Sequence, residues 1–125
     1  MTTDNPTVGQ TVYADLTAYG ANARTIVASG EVVKVSPTGV IRVKFATKER
    51  SFQPGGLERG ADWRMAARLI DQTEYERLRP IMIAERRQHR AHDAIRNVGL
   101  LPCNADNKGE IIKLLRIAMA AVEAL

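Results

Sequence analysis

Between Ile41 and Phe45 the chain alternates strictly, with Ile41, Val43 and Phe45 on one side and Arg42 and Lys44 on the other. A period of two with one apolar side is the mark of a strand buried on one face. Around it the first half of the chain repeats the theme less regularly. "TVYADLTA" alternates loosely, "TIVASGEVVKV" is rich in β-branched residues, and "RSFQ" reads as a fourth strand. "RMAARLI" fits a strand or the start of a helix, and we read it as the strand that closes a barrel. "SPTG" supplies Pro37 and Gly39 for a reverse turn. Gly30 interrupts the second run, which predicts a bulge or a sharp bend there. Five short strands with strong bends predict a small, strongly curved barrel.

The period then changes from two to that of a helix. "TEYE" offers Thr73 as an N-cap with Glu76 three residues on, and a helix follows through "RLRPIMIAERRQHRAHDAIRNV". Pro80 lies too deep for a first turn and predicts a kink or break. Gly99 suits the helix end, and "LLPCNADNKG" reads as a linker. A last helix starts near Asn107, with Glu110 placed to complete a cap. Along it Ile111, Leu114, Leu115, Ala118, Met119, Val122 and Leu125 form one apolar stripe. The stripe needs a cover, either the "IMIA" helix of the same chain or the same stripe of a second chain. The fold class is therefore α+β: a five-stranded curved barrel over 8–70 follows a disordered lead-in of 1–7 and precedes a helical hairpin over 71–125. The association state is a monomer, or a homodimer through the C-terminal helix.

Composition narrows this picture. The 125 residues are 45% hydrophobic but only 5% aromatic, so the core is built mainly from Val, Ile, Leu and Ala. One cysteine, Cys103, excludes an intrachain disulfide. No apolar run approaches the roughly 20 residues needed to cross a bilayer, and "MTTDNPTVGQ" lacks the regions of a secretory signal. A cytoplasmic protein without a membrane partner is the expectation.

Candidate chemistry is sparse. "HRAH" with Asp93 sets His89, His92 and Asp93 within one helical turn, and Cys103 follows, yet no second pair stands at metal spacing. Cys103 has no base assigned to it by spacing. "QPGGLERG" has neither the Lys-Ser/Thr of a phosphate loop nor the glycine spacing of a dinucleotide fold. We assign no catalytic residue, no metal ligand and no cofactor.

The charge is more informative. Net charge is +4, and between Arg77 and Arg96 six arginines face only Glu85 and Asp93. Arg79, Arg86, Arg90 and Arg87 fall on one side of the predicted helix. On the predicted barrel Arg42 and Lys44 share the outward face of one strand and Lys34 lies on the strand across the turn, with Lys48 and Arg50 nearby and Glu31 and Glu49 as diluents. No row of aromatics accompanies them for base stacking. Of the two surfaces, the arginine helix is expected to dominate binding.

"VGQTVYADLTAYGANARTIVASGEVVKVSPTGVIRVKFATKERSFQPGGLERG" resembles the KOW- and Tudor-like small β-barrels, and looks most like the barrel proteins common in bacteriophage genomes. The resemblance rests on the early "VG" before a strand, on Gly30 leading into "EVVKV", and on the turn before "IRVKF". It implies binding and not catalysis. The expected function is a non-enzymatic module whose basic barrel and helix surfaces meet nucleic acid or a nucleoprotein. The alternative is a phage-type interaction factor that docks on an acidic host protein surface and modulates it.

Overall fold

The computed structural model describes residues 6–18, 20, 23–62 and 65–125. Most of the lead-in over 1–7, and Trp63 at the end of the glycine-rich connection, lie outside the described residues. Five strands come first: β1 Thr11–Asp15, β2 Val27–Val35, β3 Ile41–Phe45, β4 Lys48–Phe52 and β5 Arg68–Ile70. Helix α1, Gln72–Val98, is followed by a 3-10 turn at Ala105–Asn107 and helix α2, Lys108–Glu123. The chain divides into two compact units, Met1–Met82 and Ile83–Leu125, which are described in turn.

In the first unit every strand pairing is antiparallel, in the order β4-β3-β2-β1-β5, and the sheet curls into a half-barrel. The alternation read from β3 is realised without exception: Ile41, Val43 and Phe45 are buried, Arg42 and Lys44 exposed. With Ala14, Val32, Phe52, Ala67 and Leu69 they form the core, where the Phe45 and Phe52 rings meet edge to face at 6.0 Å.

The curl has two local causes. A register shift between Val32 and Lys34 makes β2 longer than its partner, which twists the ribbon. The bulge therefore lies past Gly30, whose own role is steric. A Cβ at Gly30 would lie 2.7 Å from Phe45 Cδ1 and from Val43 Cγ1, so the absent side chain leaves room for the core to fold over the strand.

The edge strands β4 and β5 are not left wholly open. Single bridges, Phe52 with Glu58 and Leu57 with Arg68, span the gap at one end. Glu58 holds them: its carboxylate accepts from Arg50 Nη1 at 2.9 and 3.1 Å and from the Ala67 N–H at 2.9 Å. The turn between β2 and β3 closes by the Gly39 N–H donating to the Ser36 carbonyl at 3.0 Å, with Gly39 at φ +88°.

Helix α1 begins two residues earlier than the Thr73 cap implies. Asp71 caps it, its carboxylate accepting from the Glu74 N–H at 2.8 Å. Gln72 and Thr73, which a Thr73 cap leaves outside, are thereby part of the helix. Pro80 stands inside α1 without ending it. It removes one N–H donor, and the helix continues across it. The first part of α1 packs on the sheet: Tyr75 stacks against Tyr13 at 4.5 Å, and buried Met82 receives the Val27 N–H on its sulfur at 3.3 Å.

In the second unit, α1 ends as the Gly99 N–H donates to the Arg96 carbonyl at 3.0 Å. The cap before α2 belongs to Asn104, whose side chain accepts from the Asn107 N–H at 3.0 Å, and Asn107 makes no side-chain cap. Within this unit the apolar stripe of α2 is not covered as a whole. Ala118 is buried and Ile111 and Leu114 are half-buried, whereas Leu115 is 45% and Met119 62% exposed. Among the described residues no helix is long and apolar enough to cross a membrane.

Candidate anion-binding surface

Strand register decides which of the barrel's cations act together. Arg42 on β3 lies opposite Lys34 on β2 and opposite Ser51 on β4. Directly opposed residues have Cβ atoms about 4.5–5.5 Å apart, so Lys34, Arg42 and Ser51 form one row across the outer face. Beyond Ser51 the row continues onto the connection to β5, because the Arg59 N–H donates to the Ser51 carbonyl at 2.8 Å. The β2–β3 turn closes the end with two hydroxyls, Ser36 and Thr38, whose oxygens lie 2.9 Å apart.

These residues line one open concavity of about 200 Å³: Lys34, Ser36, Thr38, Arg42, Ser51 and Arg59, with Val40. Its charged members are all cations. None of Lys34, Arg42 and Arg59 forms an ion pair among the described residues. Like charges directly opposed across strands destabilise a sheet, so the Lys34–Arg42 pair is a local cost that the fold carries.

The neighbouring cations stand in mixed-charge surroundings. Lys44 is flanked by Glu31 on β2 and Glu49 on β4, one carboxylate on each side. Arg50, counted with the basic face from sequence, turns to Glu58 and holds the seam between β4 and β5. Register thus splits the sequence-derived patch, joining Lys34 to Arg42 and setting Lys44 within its own acidic surround. Arg59, Ser36, Thr38 and Ser51 were not among the candidate residues. Arg59 stands in "QPGGLERG", where loop residues carry no periodicity, and only the pairing of β4 shows which strand it follows.

The arginines of α1 sort in a similar way. Arg77 donates to Glu74, with Nε at 3.0 Å, and this bond holds the Glu74 carboxyl below the usual range and raises Arg77 above its own. Arg96 and His89 both lie on Asp93, at 3.3 and 3.2 Å. Arg79, in the first unit, and Arg86, Arg87 and Arg90, in the second, are exposed and form no ion pair among the described residues. Arg86 and Arg90 are one turn apart and share a face.

Among the described residues no three His, Cys, Asp or Glu side chains gather into a group that could hold a metal ion. Cys103 is exposed. A second concavity, of about 450 Å³, lies along Gly55–Leu57 and Arg68–Asp71 with Glu74; it mixes Arg68 with two carboxylates and presents no single sign of charge. Comparison with models of known protein families, with curated proteins and with solved structures finds no match.

Proposed function

We propose that the protein is a non-enzymatic binding module that contacts nucleic acid, alone or within a nucleoprotein, through the cations of its sheet and of α1. The observation that carries this reading is the division of the cations into two sets. Arg50, Arg68, Arg77 and Arg96 are matched with carboxylates. Lys34, Arg42 and Arg59 on the sheet side, and Arg79, Arg86, Arg87 and Arg90 on α1, have no ion pair among the described residues. Unmatched, exposed cations attract a polyanion and release its condensed counterions on contact. The likeness of residues 8–70 to KOW- and Tudor-like barrels agrees with a binding role, although a shared shape does not itself assign function.

A second reading has a specific observation in its favour. Leu115, Ile117, Met119, Val122 and Leu125 on and just beyond α2 are exposed in the single chain, and exposed apolar residues grouped on one element are common where proteins dock. In that reading the module is a phage-type factor that docks on a host protein, and the basic residues meet acidic groups on that partner.

Purification separates the two. Protein isolated at low salt is expected to carry nucleic acid that nuclease removes, and the stripped protein is expected to rebind a labelled oligonucleotide. A preparation free of nucleic acid and indifferent to added oligonucleotide would contradict the first reading and favour the second.

A further inference from the structure

We infer that the concavity between Lys34, Arg42 and Arg59 is a seat for one phosphate group, the point at which the sheet fixes a single backbone phosphate of the bound polynucleotide. The inference rests on the nucleic-acid reading and narrows it from a charged surface to a built site. Three features distinguish the seat from the other exposed cations.

The first is convergence from separate parts of the chain. Lys34 comes from β2, Arg42 from β3 and Arg59 from the connection after β4, and all three line the same concavity. Its volume of about 200 Å³ is far more than the roughly 10–15 Å³ that a single water needs on the same scale. A tetrahedral oxyanion fits with part of its hydration. Two guanidinium forks and one ammonium supply directed donors and a point charge, the combination suited to phosphate.

The second is the set of hydroxyls. The Val40 N–H donates to Ser36 Oγ at 3.0 Å, and Ser36 Oγ lies 2.9 Å from Thr38 Oγ1. With one acceptor site filled by the backbone, Ser36 can donate its hydroxyl hydrogen bond to Thr38 Oγ1, which leaves the Thr38 hydroxyl to donate outward. The Ser51 hydroxyl has no partner among the described residues and faces the same concavity. Neutral donors beside cations add direction to what charge alone attracts.

The third is the absence of a carboxylate from the lining among the described residues. Lys44, two residues along β3 from Arg42, shows the contrast, since Glu31 and Glu49 stand opposite it. A solvated outer face of a sheet normally mixes signs in this way. The seat instead opposes Lys34 to Arg42, an arrangement whose repulsion an anion between them would relieve.

The test follows backbone amides of the full chain by nuclear magnetic resonance while inorganic phosphate is added at constant ionic strength. We expect saturable shifts at Ser36, Thr38, Arg42, Ser51 and Arg59. Arg59→Gln should weaken the affinity about tenfold, equivalent to about 1.4 kcal/mol, with the remaining spectrum showing an unchanged fold. Shifts that grow without saturation, that are equal at Arg86 and Arg90, or that ignore Arg59→Gln overturn the seat. A second titration uses a single-stranded oligonucleotide without terminal phosphates, which should move the same amides and displace phosphate. Oligonucleotide binding that leaves these amides unmoved overturns the inference and spares the proposed function. Phosphate binding at the seat without any oligonucleotide binding overturns the proposed function and the polynucleotide as the source of the phosphate.

Discussion

Lys34 faces Arg42 across the β2–β3 pair with no carboxylate beside it in the concavity, so its charge acts against the fold. Lys34→Glu turns that repulsion into a cross-strand attraction worth about 0.2–1 kcal/mol. Thermal unfolding should therefore show the variant at least as stable as the parent, while its affinity for oligonucleotide falls. A variant that loses both stability and binding would mean that Lys34 supports the sheet and not a ligand. Gly30 poses the opposite case. Gly30→Ala sets a methyl group 2.7 Å from Phe45 Cδ1 and Val43 Cγ1, an overpacking that costs about 1–3 kcal/mol. Denaturant titration should detect this loss, and an unchanged midpoint would show that the sheet yields at that point without strain.

At the scale of elements, the half-barrel depends on how its two edges are joined. Glu58 ties Arg50 of β4 to the backbone at Ala67 just before β5. Glu58→Ala removes the tie and strands a half-buried guanidinium, for a cost of about 1–3 kcal/mol. Hydrogen exchange should then accelerate at Leu69, whose N–H donates to the Gly56 carbonyl at 2.7 Å, more than at the central pairing of β2 with β3. Equal acceleration throughout would mean that the sheet opens as a whole and the seam has no separate stability. The strands themselves were legible from alternation and turn residues, because β3 is buried on one side only and its period is unambiguous. The seam was not, because Glu58 and Arg50 meet through strand pairing that no local pattern encodes. The helix start differs from the Thr73 expectation for a similar reason: Asp71 and Thr73 are both good caps, and only the Glu74 N–H geometry chooses between them. The seven residues singled out for binding show the same limit. Alternation places Arg42 and Lys44 outward, as found, but it cannot place Lys34, which shares a parity with buried Val32 and reaches the outer face only through the register shift between them.

For the whole molecule the central claim is that unmatched cations on the sheet and on α1 meet the phosphates of a nucleic acid. Each phosphate contact steepens the fall of affinity with salt by about 0.7–0.9 in the logarithmic slope. The most direct measurement is the binding of a labelled oligonucleotide across a range of salt concentrations, by the parent chain and by two charge-reversed pairs, Lys34→Glu with Arg42→Glu and Arg86→Glu with Arg90→Glu. The account predicts a steep negative slope for the parent and a slope shallower by about 1–2 for each pair, together with a loss of affinity at low salt of about tenfold or more, equivalent to about 1.4 kcal/mol. Arginine forks concentrate more directed charge on α1 than the mixed pair does on the sheet, so the helix pair should lose more. No binding by the parent, or a slope near zero that neither pair changes, would contradict the account.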